Sequence, residues 1–323
     1  MTGPDATNDI AAGAAALARG ALVVFPTETV YGLGANALDP VAVARVFAAK
    51  GRPTNHPLIC HVASADDLSP LVAQVTPAAR ALADAFWPGP LTLVMPRSAA
   101  VPDAVTGGLH TVAVRVPNHP IALALLRAFG GPVAAPSANR FGRPSPTRAR
   151  DVRAELGDAV DLILDGGPCA IGVESTVLDL ASNPPQILRP GSVSLEQITA
   201  VINMPVSATS SGPARAPGML ATHYSPGARL EVLAAEDVVA RAAALDAAGT
   251  RIAVLAPTQI APLPPSTLIL GPAGDAHAYA ALLYAAFRRA DADGREVILA
   301  VPPPAVGIGI AVRDRLARAS AGG

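Results

Sequence analysis

Short apolar runs that end at proline or glycine alternate with alanine-rich, helix-forming segments along almost the whole chain. The run at residues 21–25 stops at Pro26, a helical pattern occupies residues 39–50, and the next apolar run covers residues 58–62. This alternation favours an α/β or α+β fold whose polar residues collect where strands end. Because no apolar run approaches the roughly 18 residues that span a bilayer, the pattern argues against a membrane protein.

The start of the chain, MTGPDATNDI, lacks a basic segment followed by an apolar one, so we predict no secretory signal. The chain has only two cysteines, Cys60 and Cys169, which fits a reducing compartment. No CxxC occurs, and the six histidines are not spaced like zinc ligands. We therefore expect a cytoplasmic protein that has no membrane partner and holds no metal through its own side chains.

Composition divides the 323 residues into three predicted parts. Residues 1–205 form an α/β domain, residues 206–228 form a linker rich in Ser, Gly, Pro and Ala, and residues 229–323 form a small domain of alternating strands and helices, with a parallel sheet. The linker carries His223 and Tyr224 near its end. Two interpretations stay open for it: an inert tether, or a lid that folds back over a site.

Lys50 stands out because the chain has 24 lysines plus arginines and Lys50 is the only lysine, which leaves 24 − 1 = 23 arginines. It ends a predicted helix that begins after Asp39, and Gly51 turns the chain so that Lys50 and Arg52 lie in a loop. A lone lysine suggests a site for a compact ammonium group, such as one that reaches a phosphate oxygen. The alternative is a surface lysine left over by chance.

Arg115 lies in the predicted strand TVAVRV between apolar neighbours. A buried guanidinium needs an anion, so either a carboxylate of the protein or a carboxylate of a substrate should meet it. The sequence does not choose between the two.

A second polar stretch, APSANRFGRPSPTRARDV, combines small hydroxyl and amide side chains with arginines after a short predicted strand. Such donors suit an oligophosphate, although a solvated surface loop would have a similar composition.

Several motifs together resemble one known family. FPTETVYGLGANA, Lys50 with Arg52, WPGPLT, Ser137 with Asn139, RPSPT, GVEST and LRPG occur in the order typical of the YrdC type of threonylcarbamoyl-AMP synthases. HYSP and the later PPxxVGIGIAxxxR pattern are similar to the long, two-domain form. The resemblance extends from about Ile10 to Ser320, and its specificity comes from the whole series of motifs.

This resemblance implies an open, twisted α/β sheet domain with a concave basic cavity, a linker that partly covers the cavity, and a small Rossmann-like C-terminal domain. It implies an ATP-dependent nucleotidyltransferase that joins L-threonine, bicarbonate or CO₂, and ATP into L-threonylcarbamoyl-AMP and pyrophosphate, with Mg²⁺ on the nucleotide. A separate transferase complex would then modify tRNA next to the anticodon, so contact with tRNA would be indirect.

The resemblance also implies site residues. Positions matching L-threonine contacts are Thr29, His61, Arg115 and Ser175. Positions matching ATP contacts are Lys50, Arg52, His56, Thr111, Ser137, Asn139, Thr147, Arg189 and Tyr224, with Lys50 and Arg52 as the catalytic pair. The family often has Asn where this chain has His56, and Asn55 precedes it, so that role stays open between the two.

Two other function classes remain alternatives. A related carbamoyl-transfer domain of hydrogenase maturation has a similar fold, but its familiar examples carry further segments that this chain has neither room nor cysteines for. An RNA-binding module would also suit a basic cavity, yet the net charge is −1 and aromatic residues make up only 3% of the chain.

Overall fold

The computed structural model describes residues 6–7, 9–208 and 223–322. The middle of the predicted linker, 209–222, lies outside the described residues. The described part forms two compact units: one contains 6–7, 9–141, 146–170 and 174–208, and the other contains 142–145, 171–173 and 223–322. The domain boundaries given above stay predictions.

The first unit is built around a ten-stranded mixed sheet. Its strands are β1 (Ala6–Thr7), β2 (Val23–Phe25), β3 (Gly32–Asn36), β4 (Ile59–His61), β5 (Leu91–Pro96), β6 (Thr111–Arg115), β7 (Val133–Ala134), β8 (Leu162–Leu164), β9 (Thr176–Asp179) and β10 (Gln186–Arg189). Its helices are α1 (Ile10–Ala18), α2 (Pro40–Lys50), α3 (Pro77–Phe86), α4 (Asp103–Thr106), α5 (Pro120–Phe129), α6 (Ala149–Leu156) and α7 (Leu195–Ile202). The strand order is β1-β8-β2-β3-β7-β4-β6-β5-β9-β10.

Apolar residues are buried on both faces of this sheet, as strand β2 illustrates. Val23 and Phe25 pack with residues of α1 and α5, whereas Val24 packs in the larger cluster that includes residues of α2 and α3. Successive side chains of a strand point to opposite faces, so all three residues of β2 are buried. Strands covered on both faces are typical of α/β domains.

Local chemistry defines the ends of α2. The Asp39 carboxylate accepts hydrogen bonds from the backbone N–H groups of Val41 and Ala42, and Pro40 occupies the first turn. Gly51 ends the helix with a left-handed backbone at φ 62°. The predicted helix and both of its end signals are confirmed.

The helical pattern near residues 66–72 predicts a helix, and this prediction is wrong. The structure has a single 3-10 turn at Ala65–Leu68, because Pro70 cannot continue a helix and restricts the residue before it. Four elements were not predicted, namely β1, β3, α4 and α7. Helix α7 does have a local signal, since Ser194 and Gln197 form a capping box at its start.

The second unit contains a parallel four-stranded sheet of order β11-β14-β12-β13. Its elements are β11 (Arg229–Val232), α8 (Val238–Ala247), β12 (Ile252–Leu255), β13 (Leu268–Ile269), α9 (Ala276–Ala292), β14 (Val297–Ala300) and α10 (Ile308–Ser320). The alternation of strands and helices and the parallel sheet are as predicted. The fold class is therefore confirmed as mixed α/β with a large sheet and a second, parallel sheet. Of the helices in the described ranges, none has the length and apolar character needed to cross a membrane.

Candidate active site

Polar side chains lie at one end of the large sheet, on the face that also carries a small apolar cluster. The cluster includes Ile59 of β4, Val94 of β5, Ala113 of β6 and Val177 of β9. Residues two positions away along a strand share its face. This spacing places four polar residues on that face: His61, Thr92, Arg115 and Ser175. His61 and Arg115 are register partners in the parallel pair β4 and β6, so their backbones are neighbours.

Arg115 is 4% exposed, and Glu28 supplies the carboxylate that meets it. One guanidinium nitrogen, Nη2, lies 2.8 Å from Glu28 Oε2, and Nε donates a hydrogen bond of 3.2 Å to the Gly89 carbonyl oxygen. The distance from Nη2 to Oε2 is that of an ion pair, but its angles do not meet those of a hydrogen bond. Of the two anions left open by the sequence, the protein carboxylate is therefore present, and Nη2 keeps hydrogen-bonding capacity.

A tight turn after β2 holds Glu28 in place. The hydroxyl of Thr27 accepts hydrogen bonds from the backbone N–H groups of Thr29 and Val30, at 3.1 and 3.2 Å. The Thr27 and Thr29 hydroxyl oxygens are 2.8 Å apart, and both residues are buried. A hydroxyl that binds the backbone two and three residues later stabilises the turn, so Glu28 is carried on an ordered backbone.

His61 is buried at the end of β4 and packs edge-on against Phe25, with ring centroids 5.7 Å apart. Burial, with a smaller contribution from the positive charge of Arg115, lowers the pKa of His61 to about 3. The imidazole is therefore neutral at ordinary pH. Within the described residues its Nδ1 atom has no hydrogen-bond partner, so it remains available to a ligand.

Ser175 directly precedes β9 and forms hydrogen bonds with residues of β5 and β10. Its hydroxyl oxygen is 2.8 Å from the Thr92 hydroxyl, and Arg189 Nη2 donates to it at 3.1 Å. Arg189 also donates from Nε to the Ser175 carbonyl oxygen at 3.1 Å. Gly191 allows this close approach of β9 and β10, because a Cβ atom there would lie 2.1 Å from the backbone nitrogen of Thr176.

Lys50 is 3% exposed at the end of α2, so the alternative of a leftover surface lysine is wrong. Its ammonium donates to the Ser137 carbonyl oxygen at 2.5 Å and also to the carbonyl oxygen of Asn139. Burial first, and then the charge of Arg52, holds the pKa of Lys50 well below its usual value. Lys50 thus connects the helix end to the loop that carries Ser137 and Asn139.

The loop after α2 carries the remaining charged candidates. Arg52 is buried and donates from Nη2 to the Pro57 carbonyl oxygen at 3.2 Å. The ring of His56 packs at 5.6 Å from the ring of Phe141, and burial followed by the charge of Arg52 lowers its pKa. Asn55 is exposed. The role left open between His56 and Asn55 stays open.

Three further predicted positions are not among the contacts described above. Thr111 begins β6 and Arg115 ends it, which separates them by about 13 Å along the strand. Thr147 is buried, and its carbonyl oxygen accepts from the Cys169 backbone N–H at 2.9 Å. Tyr224 belongs to the second unit, where its ring contacts His223, Tyr284 and the guanidinium of Arg315. The ATP roles of Thr111, Thr147 and Tyr224 stay predictions.

Comparison with known proteins identifies the family. The Sua5/YciO/YrdC family model, described as "Telomere recombination", matches residues 15–191, and a model described as "Threonylcarbamoyl-AMP synthase, C-terminal domain" matches residues 193–321. The chain belongs to the Sua5/YciO/YrdC family. The first match contains strands β2 to β10 of the large sheet, and the second contains the elements β11 to α10 of the second unit.

Relatives support the long form of the Sua5/YciO/YrdC family. A threonylcarbamoyl-AMP synthase of Pyrococcus abyssi is 45% identical over 94% of this chain and 91% of its own length. The synthase of Bacillus subtilis is 42% identical over 98% of this chain and 94% of its own length. The crystal structure of P. abyssi Sua5 complexed with L-threonine has a TM-score of 0.89 and 44% identity, and it covers 97% of this chain and 94% of that chain.

Sequence reasoning missed two residues that bear on the site. Glu28 lies in the motif FPTETVYGLGANA and Thr92 in WPGPLT, but neither residue was predicted to be part of the site. The signal for Glu28 was the predicted need of Arg115 for an anion. No local pattern connects these two residues, because the contact forms only when the turn and β6 come together in the fold.

Proposed function

We propose that this chain is an L-threonylcarbamoyladenylate synthase, which forms L-threonylcarbamoyl-AMP and pyrophosphate from L-threonine, bicarbonate or CO₂, and ATP. The observation that carries this proposal is the buried sheet end at which Arg115 and the neutral His61 are register partners and each keep a polar atom without a hydrogen bond among the described residues. Arg115 can bind the carboxylate of an amino acid, and His61 can form a hydrogen bond with the side-chain hydroxyl of L-threonine. The threonine complex of the P. abyssi relative supports the same substrate.

Under this proposal, Thr29 and Ser175 complete the L-threonine site with Arg115 and His61. All four are buried, which excludes water and strengthens each polar contact. The bound amino acid would then present its amine in one orientation.

The phosphates of ATP are proposed to bind near Lys50 and Arg52. Both cations are buried near the loop of Ser137 and Asn139. Because burial disfavours the charged form of Lys50 and lowers its pKa, an approaching phosphate anion would stabilise that charged form strongly. His56, Thr111, Thr147, Arg189 and Tyr224 are proposed as the further ATP contacts.

Mg²⁺ is proposed to accompany ATP and to be held through phosphate oxygens and water. Within the described ranges no three His, Cys, Asp or Glu side chains are grouped so as to hold a metal ion. The candidate phosphate residues are cations, which fit phosphate oxygens and not a metal ion. When bound, the ion would neutralise phosphate charge.

The proposed reaction needs no covalent bond between the protein and its substrates. Bicarbonate takes a proton from the threonine ammonium group and gives CO₂ and water. The resulting amine forms a bond to the carbon of CO₂ and loses a proton to water as the carbamate forms. An oxygen of this carbamate then forms a bond to the α-phosphorus of ATP. The bond between the α-phosphorus and the bridging oxygen breaks, and pyrophosphate leaves with the electron pair. Arg115 and His61 would orient the amino acid, while Lys50 and Arg52 would stabilise charge on the leaving pyrophosphate.

The later fate of the product is also part of the proposal. A separate transferase complex would pass the threonylcarbamoyl group to the adenosine next to the anticodon of certain tRNAs, and both steps would occur in the cytoplasm. This chain would then meet tRNA only indirectly.

Pyrophosphate release tests the proposed function. Purified protein should release pyrophosphate from ATP only when both L-threonine and bicarbonate are present, and Lys50→Ala should slow the release at least about 10-fold. Arg45→Ala is the matched control, because Arg45 lies on the same helix with a side chain 45% exposed. It should retain full activity. Release that is indifferent to L-threonine would indicate the carbamoyl-transfer alternative, and no release under any condition would contradict the synthase.

A further inference from the structure

We propose that Glu28 binds the α-ammonium group of the amino-acid substrate, so that Arg115 and Glu28 together recognise a zwitterion. This inference rests on the proposed function and adds to it a residue that determines substrate class. It also explains why a carboxylate stands beside the arginine that would bind the substrate carboxylate.

The first support is the unmet hydrogen-bonding capacity of Glu28. The residue is 8% exposed, and within the described part of the chain neither carboxylate oxygen has a hydrogen-bond partner. A buried carboxylate with no hydrogen bonds is costly, and a single ion pair with Arg115 leaves most of its acceptor sites empty. An ammonium group carries three N–H donors and would fill these acceptor sites.

The second support is the arrangement of the charges. Arg115 Nη2 and Glu28 Oε2 are 2.8 Å apart without an aligned hydrogen bond between them. An α-amino acid also carries opposite charges close together, because its ammonium and carboxylate groups are attached to the same carbon. The substrate carboxylate would bind Arg115 while its ammonium binds Glu28, and both buried charges would then be compensated.

The third support is that, among the described residues, only Arg115 lies within ion-pair distance of Glu28. His119 interacts electrostatically with Glu28, but burial lowers the pKa of its imidazole, so this ring is neutral at ordinary pH. Cys169, the other titratable neighbour of Glu28 and Arg115, has its thiol pKa raised to about 12 by burial. The Thr27 turn also holds Glu28 in place before any ligand arrives.

The competing role for Glu28 is to position Arg115 without touching the substrate. The two roles differ in what they require of the ligand. An ammonium-binding Glu28 matters only for a ligand that has the amine, whereas a positioning Glu28 matters equally for any carboxylate that binds Arg115.

Calorimetric titration of two ligands separates these roles. The first ligand is L-threonine, and the second is 2,3-dihydroxybutanoate of matching stereochemistry, in which a hydroxyl replaces the amine. Glu28→Gln changes the electrostatics of Arg115 for both carboxylate ligands alike, so it should lower the ratio of L-threonine affinity to hydroxy-acid affinity about 10- to 100-fold, the size expected for one charged hydrogen bond. Glu236→Gln, which alters an exposed carboxylate, is the control and should bind both ligands like the wild type.

Equal losses for the two ligands would overturn the inference in favour of a positioning role, and unchanged binding of both would also overturn it. If circular dichroism shows that Glu28→Gln does not fold, Glu28→Asp is used instead. That variant shortens the side chain by one methylene group, so it should weaken L-threonine binding more than binding of the hydroxy acid; equal losses, or no loss for either ligand, would overturn the inference. Failure of the wild type to bind L-threonine would overturn the proposed function as well.

Discussion

The candidate site has two parts, one at the end of the large sheet and one at the end of α2, and they differ in how far their buried polar groups are hydrogen-bonded. At the sheet end, Glu28, His61 and Arg115 are buried and keep polar atoms without hydrogen bonds among the described residues. At the end of α2, Lys50 is equally buried, but its ammonium already donates to the carbonyl oxygens of Ser137 and Asn139. The sheet end has capacity left for a ligand, whereas Lys50 is engaged by the protein backbone.

This difference suggests different consequences for substitution. Glu28 and Arg115 are oppositely charged and mutually dependent, so removal of one leaves the other uncompensated in a buried position. Lys50 holds a loop, so its removal should act first on whatever that loop binds. The following tests examine this contrast.

The largest effect is expected from Arg115→Ala. It leaves the carboxylate of Glu28 buried without its counter-charge, so the free energy of unfolding should fall by about 3–5 kcal/mol. The double variant Arg115→Ala with Glu28→Gln should be more stable than Arg115→Ala alone, because no buried charge is then left uncompensated. Urea denaturation of the wild type, Arg115→Ala and the double variant measures the free energy of unfolding of each.

The control for this test is Arg45→Ala. Arg45 pairs with Asp161 at 2.8 Å, but the two side chains are 45% and 39% exposed, so its loss should cost only about 0–1 kcal/mol. If the double variant were less stable than Arg115→Ala by itself, the two charges would not depend on each other as described.

An intermediate effect is expected from Lys50→Met, which removes the donors to Ser137 and Asn139 at nearly constant side-chain length. We expect kcat/KM for ATP to fall about 10- to 100-fold, which corresponds to one charged hydrogen bond, while KM for L-threonine changes less than about threefold. Lys50→Arg should not restore activity, because a planar guanidinium does not replace a compact, buried ammonium. Steady-state pyrophosphate release measures each constant.

Arg45→Met, on the exposed part of the same helix, should leave both constants unchanged. A large rise in KM for L-threonine in Lys50→Met would show that the two halves of the site are not separate.

Much of the fold could be predicted because its signals are local. Asp39, Pro40 and Gly51 define α2 through backbone hydrogen bonds and dihedral angles that each residue type favours. Strand β3 could not be predicted in this way, since Gly32 and Gly34 give no apolar alternation. It forms because β2 and β7 pair with it on either side, and Gly34 leaves room where a Cβ atom would lie 2.8 Å from the side chains of Phe25 and Val133.

In the candidate site, too, the sequence predicted only features with a local signal. The sequence predicted that Arg115 is buried and needs an anion, and that Lys50 is special, because both follow from residue type and immediate neighbours. It did not predict that Glu28 meets Arg115 or that Lys50 donates to backbone carbonyl oxygens. Such partners are brought together by tertiary packing, which no short stretch of sequence encodes.

The smallest effect is expected from the pH dependence of His61. Its pKa is about 3 in the folded chain, because of burial first and Arg115 second, against 6.5 as its ordinary value. The unfolded chain therefore binds one more proton at this residue between these two values, so the stability due to neutral His61 is complete above about pH 6.5 and is lost as the pH falls towards 3. From pH 6.5 to 5.5 this loss should amount to about 1 kcal/mol.

His61→Asn should show a shallower fall in the free energy of unfolding over that interval than the wild type, as measured by urea denaturation at each pH. An identical slope for His61→Asn and the wild type would show that His61 titrates normally, and the sheet end would then be open to water instead of a dry site for a small zwitterion.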